Sequence, residues 1–247
     1  MVNNLWSEEQ IIIAFALYCQ MPYGRIHSRN PKIIEVAKKI GRTPNALAMK
    51  MLNIASLDPK IIESGRAGLG NASTADRRIW EQFHEDWDTA FQKAEIYLTD
   101  EEEVSPEEVE SADTESVREV TQRRKQAFFR NSILAGYGEK CCISGLSHRD
   151  LLVPGHIVPW SEDRKNRLNP QNGLCMSVLY DKMFDIGWLT VTPNYEVVIS
   201  ETFKNEAKDE FSRLNLHSVH GQKIMLPEKF VPSREFLEYH NERKFRS

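Results

Sequence analysis

The sequence of 247 residues contains no apolar run close to the roughly 18 residues that a membrane-spanning helix requires. Its N-terminal region also lacks the basic segment followed by an apolar segment that marks a secretory signal. These absences predict a soluble protein of the cytoplasm, with no membrane partner. An apolar content of 40% is enough to build a buried core.

Cysteine is scarce, with four residues in the whole chain. Cys141 and Cys142 are adjacent, whereas Cys19 and Cys175 are distant in sequence. This spacing fits neither a disulfide framework nor the paired C-x-x-C motifs of structural zinc sites. We therefore expect reduced, mostly buried thiols and no structural zinc.

The sequence also lacks an overall basic excess, because its formal net charge is −4. The acid is concentrated in residues 99–120, which carry ten Asp and Glu against one Arg. Residues 121–247 carry 19 Lys and Arg against 15 Asp and Glu. A short segment of like charges without aromatic residues is typical of a linker. We predict a domain at 1–98, an acidic linker at 99–120 and a second domain at 121–247.

The first domain is predicted to be helical throughout. Ser7 begins a capping-box pattern ahead of an apolar run, and the pairs Asn30-Pro31 and Thr43-Pro44 are typical of helix starts. A further helix is predicted over 76–94. It carries aromatic residues at three- and four-residue spacing that we expect in the core, namely Trp80, Phe83, Trp87 and Phe91.

Two of these short helices are joined by a tight turn at Gly41, which suggests helix-turn-helix geometry. Residues 25–50 contain seven Lys and Arg against a single Glu, a local charge that could face phosphates. The candidate DNA-binding side chains are Arg42, Asn45 and Lys50. The alternative interpretation is a helical bundle whose polar face is merely solvated.

The second domain shows a strand, a loop and a helix in that order. His156 lies on the predicted strand and Asn172 ends a polar loop. A helix is predicted over 176–188, where Asp181 and Asp185 are four residues apart and so share one helical face. Two further strands are predicted on either side of Pro193-Asn194. The chain is therefore predicted to be α+β.

The stretch from about Arg123 to Phe245 resembles the HNH nucleases of the ββα-metal superfamily. Three motifs carry the resemblance, a His-Ile-x-Pro-Trp strand, an Asn-Gly-Leu turn and a Phe-Asp-x-Gly helix end, at His156–Trp160, Asn172–Leu174 and Phe184–Gly187. The segment from Gly41 through Lys50 to Asp58-Pro59 is similar to domains found ahead of such nucleases in bacterial restriction-type proteins.

The resemblance implies a role for each candidate residue. His156 would be the general base that takes a proton from the attacking water, and Asn172 would pin the loop that orients His156. Asp181 stands in the place of a metal-ligating His, and a carboxylate there favours a single Mg²⁺ or Mn²⁺ ion. Asp185 is either a second metal ligand or a brace of the fold.

Two positions depart from the family pattern. Gly155 stands where many relatives place a metal-ligating Asp or His, and Tyr180-Asp181 stands where the family usually has its third motif His. A metal bound here would rely on phosphate and water for most of its ligands. In the loop, Arg164, Lys165 and Arg167 are candidate contacts to the DNA backbone, although a solvated loop explains them nearly as well.

The leading hypothesis is a metal-dependent endonuclease acting on double-stranded DNA, as in a bacterial restriction enzyme directed against foreign DNA, with or without modified cytosine. The alternatives are a non-catalytic DNA-binding regulator with a degenerate nuclease fold and an interaction module whose N-terminal part binds protein. Because one HNH site cuts one strand, double-strand cleavage predicts a homodimer.

Overall fold

The computed structural model describes residues 5–66, 70–98 and 114–246. Over these ranges the chain combines helices with two small antiparallel sheets, in agreement with the predicted mixture of helix and strand. The chain divides into two compact units, Met1–Ser132 and Ile133–Ser247. Most of the predicted linker, residues 99–113, lies outside the described residues.

The first unit is built from helices around one central helix. In chain order these are α1 (Glu8–Cys19), α2 (Pro31–Lys39), α3 (Pro44–Ala55), α4 (Pro59–Glu63), α5 (Thr74–Glu85) and α6 (Trp87–Leu98). Every residue from Ile11 to Cys19 is buried, because α3, α5 and α6 pack around α1. Phe15 of α1 contacts the ring of Phe83, with centroids 4.2 Å apart. The apolar run of α1 is therefore the core of this unit.

The predicted helix starts are confirmed by their hydrogen bonds. Ser7 and Gln10 form a complete capping box at the start of α1. The Asn30 side chain accepts from the Lys32 amide at 3.0 Å, and the Thr43 hydroxyl accepts from the Ala46 amide at 3.2 Å. These caps satisfy amide donors that have no partner within the helix.

The single helix predicted over 76–94 is wrong in one respect, since α5 and α6 are separate helices. They are divided at Asp86, whose backbone is extended with φ −156° and ψ 92°. The Asp86 carboxylate then caps α6 by accepting from the Thr89 amide at 3.1 Å. The backbone and side chain of Asp86 thus end one helix and begin the next, although the apolar spacing continues through this position. The predicted core aromatics Phe83, Trp87 and Phe91 are buried, and Trp80 is partly buried.

Helix α7 spans Thr114–Gly136 and is rich in basic residues. Its start includes residues 114–120, which the sequence pattern assigns to the linker. Within the first unit, Lys125 of α7 pairs with Asp88 at 2.7 Å, and the Phe128 ring lies 4.6 Å from that of Phe91. Part of the positive charge of this helix is therefore used in an ion pair within the first unit.

The second unit contains two β-hairpins and three helices. Its elements are β1 (Leu152–His156), β2 (Gly173–Ser177), α8 (Val178–Asp185), β3 (Leu189–Val191), β4 (Val197–Ile199), α9 (Glu201–Glu206) and α10 (Arg234–Arg243). Strand β1 pairs antiparallel with β2, and α8 packs on both strands. Strands β3 and β4 form the second hairpin, as predicted, and α10 packs on β3.

Strand β2 corrects the prediction of a helix starting at residue 176, because Met176 and Ser177 belong to the strand. All five residues of β2 are buried, so the strand lacks the alternating pattern that identifies a half-exposed strand. Within the described residues, no helix has both the length and the apolar character needed to cross a bilayer. All four cysteines are buried thiols, as predicted.

Candidate active site

The site lies where the β1–β2 hairpin meets α8. His156 ends β1 and is paired with Gly173, and Gly155 is paired with Leu174. The chain between the two strands forms a loop, residues 157–172, that leaves β1 at His156 and returns to β2 at Asn172. The hairpin therefore brings the first two sequence motifs together, and α8 supplies the third.

The His156 imidazole is held in one tautomer by the loop. Its Nε2 lies 2.9 Å from the carbonyl oxygen of Arg167, which can only accept a hydrogen bond. Neutral His156 therefore carries its proton on Nε2 and its basic lone pair on Nδ1. Burial lowers the pKa of His156 below its ordinary value of 6.5, and this effect exceeds the opposing one of the Arg167 carbonyl. A neutral imidazole at pH 7 is the form that a general base requires.

Asn172 fixes the loop through both halves of its amide. Its Oδ1 accepts from the Val158 amide at 2.8 Å, and its Nδ2 donates to the Val158 carbonyl at 3.1 Å and to that of Asn166 at 3.3 Å. Its own carbonyl accepts from the Ile157 amide at 3.0 Å. The side chain is almost fully buried, at 1% exposure. Asn172 thus orients the residues that follow His156.

Asp181 lies on α8 with its carboxylate against the backbone of Gly155. A Cβ atom on Gly155 would overlap Asp181 Oδ1 and would lie 2.9 Å from Met176 Cε. Partial burial, followed by the nearby charge of Asp185, raises the pKa of Asp181 to about 6, while Lys182 opposes the shift. The glycine that departs from the family pattern is therefore the residue that leaves room for this carboxylate.

Asp185 occupies a more open position one helical turn further along α8. Its side chain is 75% exposed, and its Oδ2 lies 3.9 Å from Lys182 Nζ. Among the described residues, no cluster of three or more His, Cys, Asp or Glu side chains is placed to hold a metal ion. The carboxylate oxygens of Asp181 and Asp185 are of the type that would suit a hard divalent cation, which takes oxygen ligands and keeps several water molecules.

The three basic residues of the loop fall into two groups. Arg164 and Lys165 are exposed, and neither forms an ion pair with any other residue that the structure describes. Arg167 is half-buried, with its Nε donating to the Trp160 carbonyl at 2.7 Å. Its guanidinium carbon lies 5.4 Å from the centroid of the Trp160 ring. Arg164 and Lys165 therefore present their charges to solvent as a phosphate contact would require, and Arg167 does so less.

The candidate DNA-binding residues of the first unit also differ in their surroundings. Lys50 is buried at 7% exposure and pairs with Asp76 at 2.7 Å, so its charge stabilises the contact between α3 and α5. The DNA-binding role of Lys50 stays a prediction, and the ion pair with Asp76 is what the structure shows of its side chain. Arg42 donates to Gln10 Oε1 at 2.9 Å and lies 4.8 Å from the centroid of the Trp6 ring. It ties the turn before α3 to the start of α1.

Asn45 is exposed on α3, with its Nδ2 lying 3.6 Å from the Met49 sulfur. It is the candidate whose position best suits an interaction with a base. Conversely, the sequence motifs do not single out His240, which is buried on α10. Its Nε2 donates to the Phe184 carbonyl at 3.1 Å, and its ring stacks on that of Phe184 with centroids 3.6 Å apart. Its partners are a backbone carbonyl and a ring that are far away in the sequence, so no motif around His240 indicates these contacts.

A family model matches the part of the chain that forms this site. Residues 141–192, which include β1, the loop, β2 and α8, match the family model described as HNH endonuclease. No curated protein matches the chain. The matched segment contains His156, Asn172 and Asp181 but none of the helical first unit. The C-terminal part of the chain therefore contains an HNH nuclease domain, which indicates a nucleic acid substrate.

Proposed function

We propose that the protein is a metal-dependent DNA endonuclease that cuts foreign double-stranded DNA in the manner of a restriction enzyme. The observation that carries the proposal is the environment of His156, within the HNH segment. Its hydrogen bond to the Arg167 carbonyl directs the basic lone pair to Nδ1, and burial keeps the ring neutral.

In the proposed reaction, His156 Nδ1 accepts a proton from the water that attacks a DNA phosphodiester. The water oxygen bonds to phosphorus, the bond between phosphorus and the 3′ oxygen of the DNA strand breaks, and the departing 3′ oxygen takes a proton from solvent. Asn172 holds the loop through Val158 and so keeps the imidazole in place during this transfer. When Nδ1 is protonated the ring becomes an imidazolium, and Nε2 keeps its proton and its hydrogen bond to the Arg167 carbonyl.

Asp181 is the proposed metal ligand, with Asp185 as a second ligand or as a brace for the helix end. When bound, Mg²⁺ or Mn²⁺ supplies positive charge that stabilises the phosphate and the departing oxygen. Metal binding requires ionised Asp181, whose pKa is raised to about 6. The pKa of His156 lies below 6.5, so base and ligand are both in their working forms above pH 6.5, and the cleavage rate should rise with pH and level off in the neutral range.

The DNA contacts are proposed on both units. In the nuclease domain, the exposed Arg164 and Lys165 would contact the DNA backbone. In the first unit, Asn45 on α3 and the exposed Lys38 on α2 would face the DNA, as in a helix-turn-helix protein. Two copies of the chain would be needed to cut both strands, which is why we propose a homodimer.

Incubating the full chain with matched unmodified and cytosine-modified plasmids tests this function. The reactions should contain Mg²⁺, Mn²⁺ or EDTA, and the products should be separated on a gel. We expect cutting with either metal and none with EDTA. The preferred plasmid distinguishes conventional from modification-dependent restriction. DNA that is bound but uncut under every condition would contradict the proposal and favour the non-catalytic regulator.

A further inference from the structure

The general base takes part in a closed set of contacts with two residues of its own loop. His156 Nε2 donates to the Arg167 carbonyl at 2.9 Å. Arg167 Nε donates to the Trp160 carbonyl at 2.7 Å. The Trp160 ring meets that of His156 edge-on, with centroids 5.5 Å apart and an interplanar angle of 89°. The side chain of Arg167 thus anchors the backbone that supplies the acceptor for His156.

We propose that Arg167 is a positioning residue. Its side chain holds its own peptide group against Trp160, a contact that we call the latch, and the carbonyl of that peptide group fixes the tautomer of His156. This inference rests on the proposed nuclease function but concerns a different property, the placement of the imidazole proton. The planar guanidinium is suited to the task because it donates through Nε while its face covers the indole ring.

The geometry also distinguishes Arg167 from its two basic neighbours in the loop. Arg164 and Lys165 are exposed, whereas the Arg167 head is partly buried and already engaged with Trp160. Because its Nε donor is already used by the Trp160 carbonyl, Arg167 could contact a phosphate only through its Nη groups. The latch role therefore predicts that removing the guanidinium affects the rate of the chemical step and leaves DNA affinity in place.

The test compares Arg167→Met, which keeps an unbranched apolar stem, with Arg167→Lys and with Arg164→Met as the matched control. For each variant, kcat, KM and the salt dependence of DNA binding are measured on the full chain. We expect Arg167→Met to lower kcat about 10- to 100-fold with KM unchanged, because a displaced base loses its alignment. Arg167→Lys should restore part of kcat, since its ammonium group can still donate to the Trp160 carbonyl. Arg164→Met should instead raise KM and weaken the salt dependence.

A second readout does not depend on cleavage. In ¹⁵N-labelled protein without DNA, the His156 imidazole signals are identified by their loss in His156→Ala. We expect the Nε2-protonated tautomer in the wild type and in Arg164→Met, and a mixture of tautomers in Arg167→Met. If Arg167→Met keeps the wild-type tautomer, or loses DNA affinity with a salt slope lower by about one phosphate contact, the latch is refuted. If the wild type fails to cut DNA, the nuclease proposal fails while the tautomer still decides the role of Arg167.

Discussion

At the scale of single residues, the approach of the Asp181 carboxylate to Gly155 makes the site sensitive to one added methyl group. The carboxylate occupies the space into which any side chain at position 155 would project. A glycine in this strand is therefore a packing requirement of the site. The sequence motif alone indicates only that a ligand is missing at this position.

We predict that Gly155→Ala lowers stability by about 1–3 kcal/mol, the usual cost of overpacking, and lowers cleavage by displacing Asp181. Urea unfolding and plasmid cleavage measure the two effects. The matched background is Asp181→Ala, in which Gly155→Ala should cost less stability because the overlapping carboxylate is gone. If Gly155→Ala lowers the stability equally in both backgrounds, the Asp181 carboxylate is not the group that the added methyl overlaps.

At the scale of secondary-structure elements, α10 holds the end of α8 through His240. Its imidazole donates from Nε2 to the Phe184 carbonyl, and its Nδ1 lies 2.8 Å from the Thr190 hydroxyl. Burial, the largest cause, lowers the pKa of His240 to about 4. The helix that carries Asp181 is thus braced by a group that resists protonation.

His240 should make the stability of the second unit sensitive to acid. Its pKa is lower in the folded state than the 6.5 of an unperturbed histidine, so its contribution is complete above pH 6.5 and is lost as pH falls towards 4. The full loss corresponds to about 3 kcal/mol. In urea unfolding, His240→Gln should reduce the stability difference between pH 7 and pH 4.5, whereas the exposed control His148→Gln should not. An unchanged difference in His240→Gln would contradict this assignment.

A buried ion pair joins two helices of the first unit. The Lys50 ammonium lies 2.7 Å from Asp76 Oδ1, and Asp76 Oδ2 also accepts from the Ser73 amide at 2.8 Å. Removing one partner leaves the other charge buried without compensation, which typically costs 3–5 kcal/mol. We predict a loss of about this size for Lys50→Met and almost none for the exposed control Lys38→Met, both measured by urea unfolding. If Lys50→Met keeps its stability and instead loses DNA affinity, Lys50 is a DNA contact.

Much of the fold is predictable where one local pattern determines the element. The helix starts at Ser7, Asn30 and Thr43 follow from side chains that cap the adjacent backbone. Strand β2 is not predictable in this way, because a fully buried strand shows no alternation and its apolar residues continue into α8. Long-range partners are equally invisible, so the pairing of Lys50 with Asp76 depends on tertiary packing.

The candidate site is likewise predictable in part from the sequence and in part only from the folded structure. The residue types of His156, Asn172 and Asp181 are evident from the motifs, since the chemistry needs a base, an amide and a carboxylate. The tautomer of His156 depends on the backbone carbonyl of Arg167, and a backbone atom leaves no sequence signal. The latch of Arg167 on Trp160 and the brace by His240 likewise require the folded chain.

At the scale of the whole molecule, the proposed function requires two copies of the chain for one double-strand break. Mixing wild type with an excess of His156→Ala tests this requirement, because mixed dimers contain a single working base. We predict that nicked plasmid accumulates at the expense of linear product. Mixing with an excess of an unrelated protein is the control. Linear product that falls only in proportion to dilution, without added nicked circles, would argue for a monomer.

The proposed function depends above all on His156 acting as the general base of a nuclease. The most direct test is single-turnover cleavage of a labelled duplex by wild type and His156→Ala, with DNA affinity measured in parallel and His148→Ala as the control. We predict a rate about 10²- to 10⁴-fold lower for His156→Ala with unchanged affinity, the usual contribution of a positioned base. A His156→Ala protein that binds and cuts DNA at the wild-type rate would contradict it.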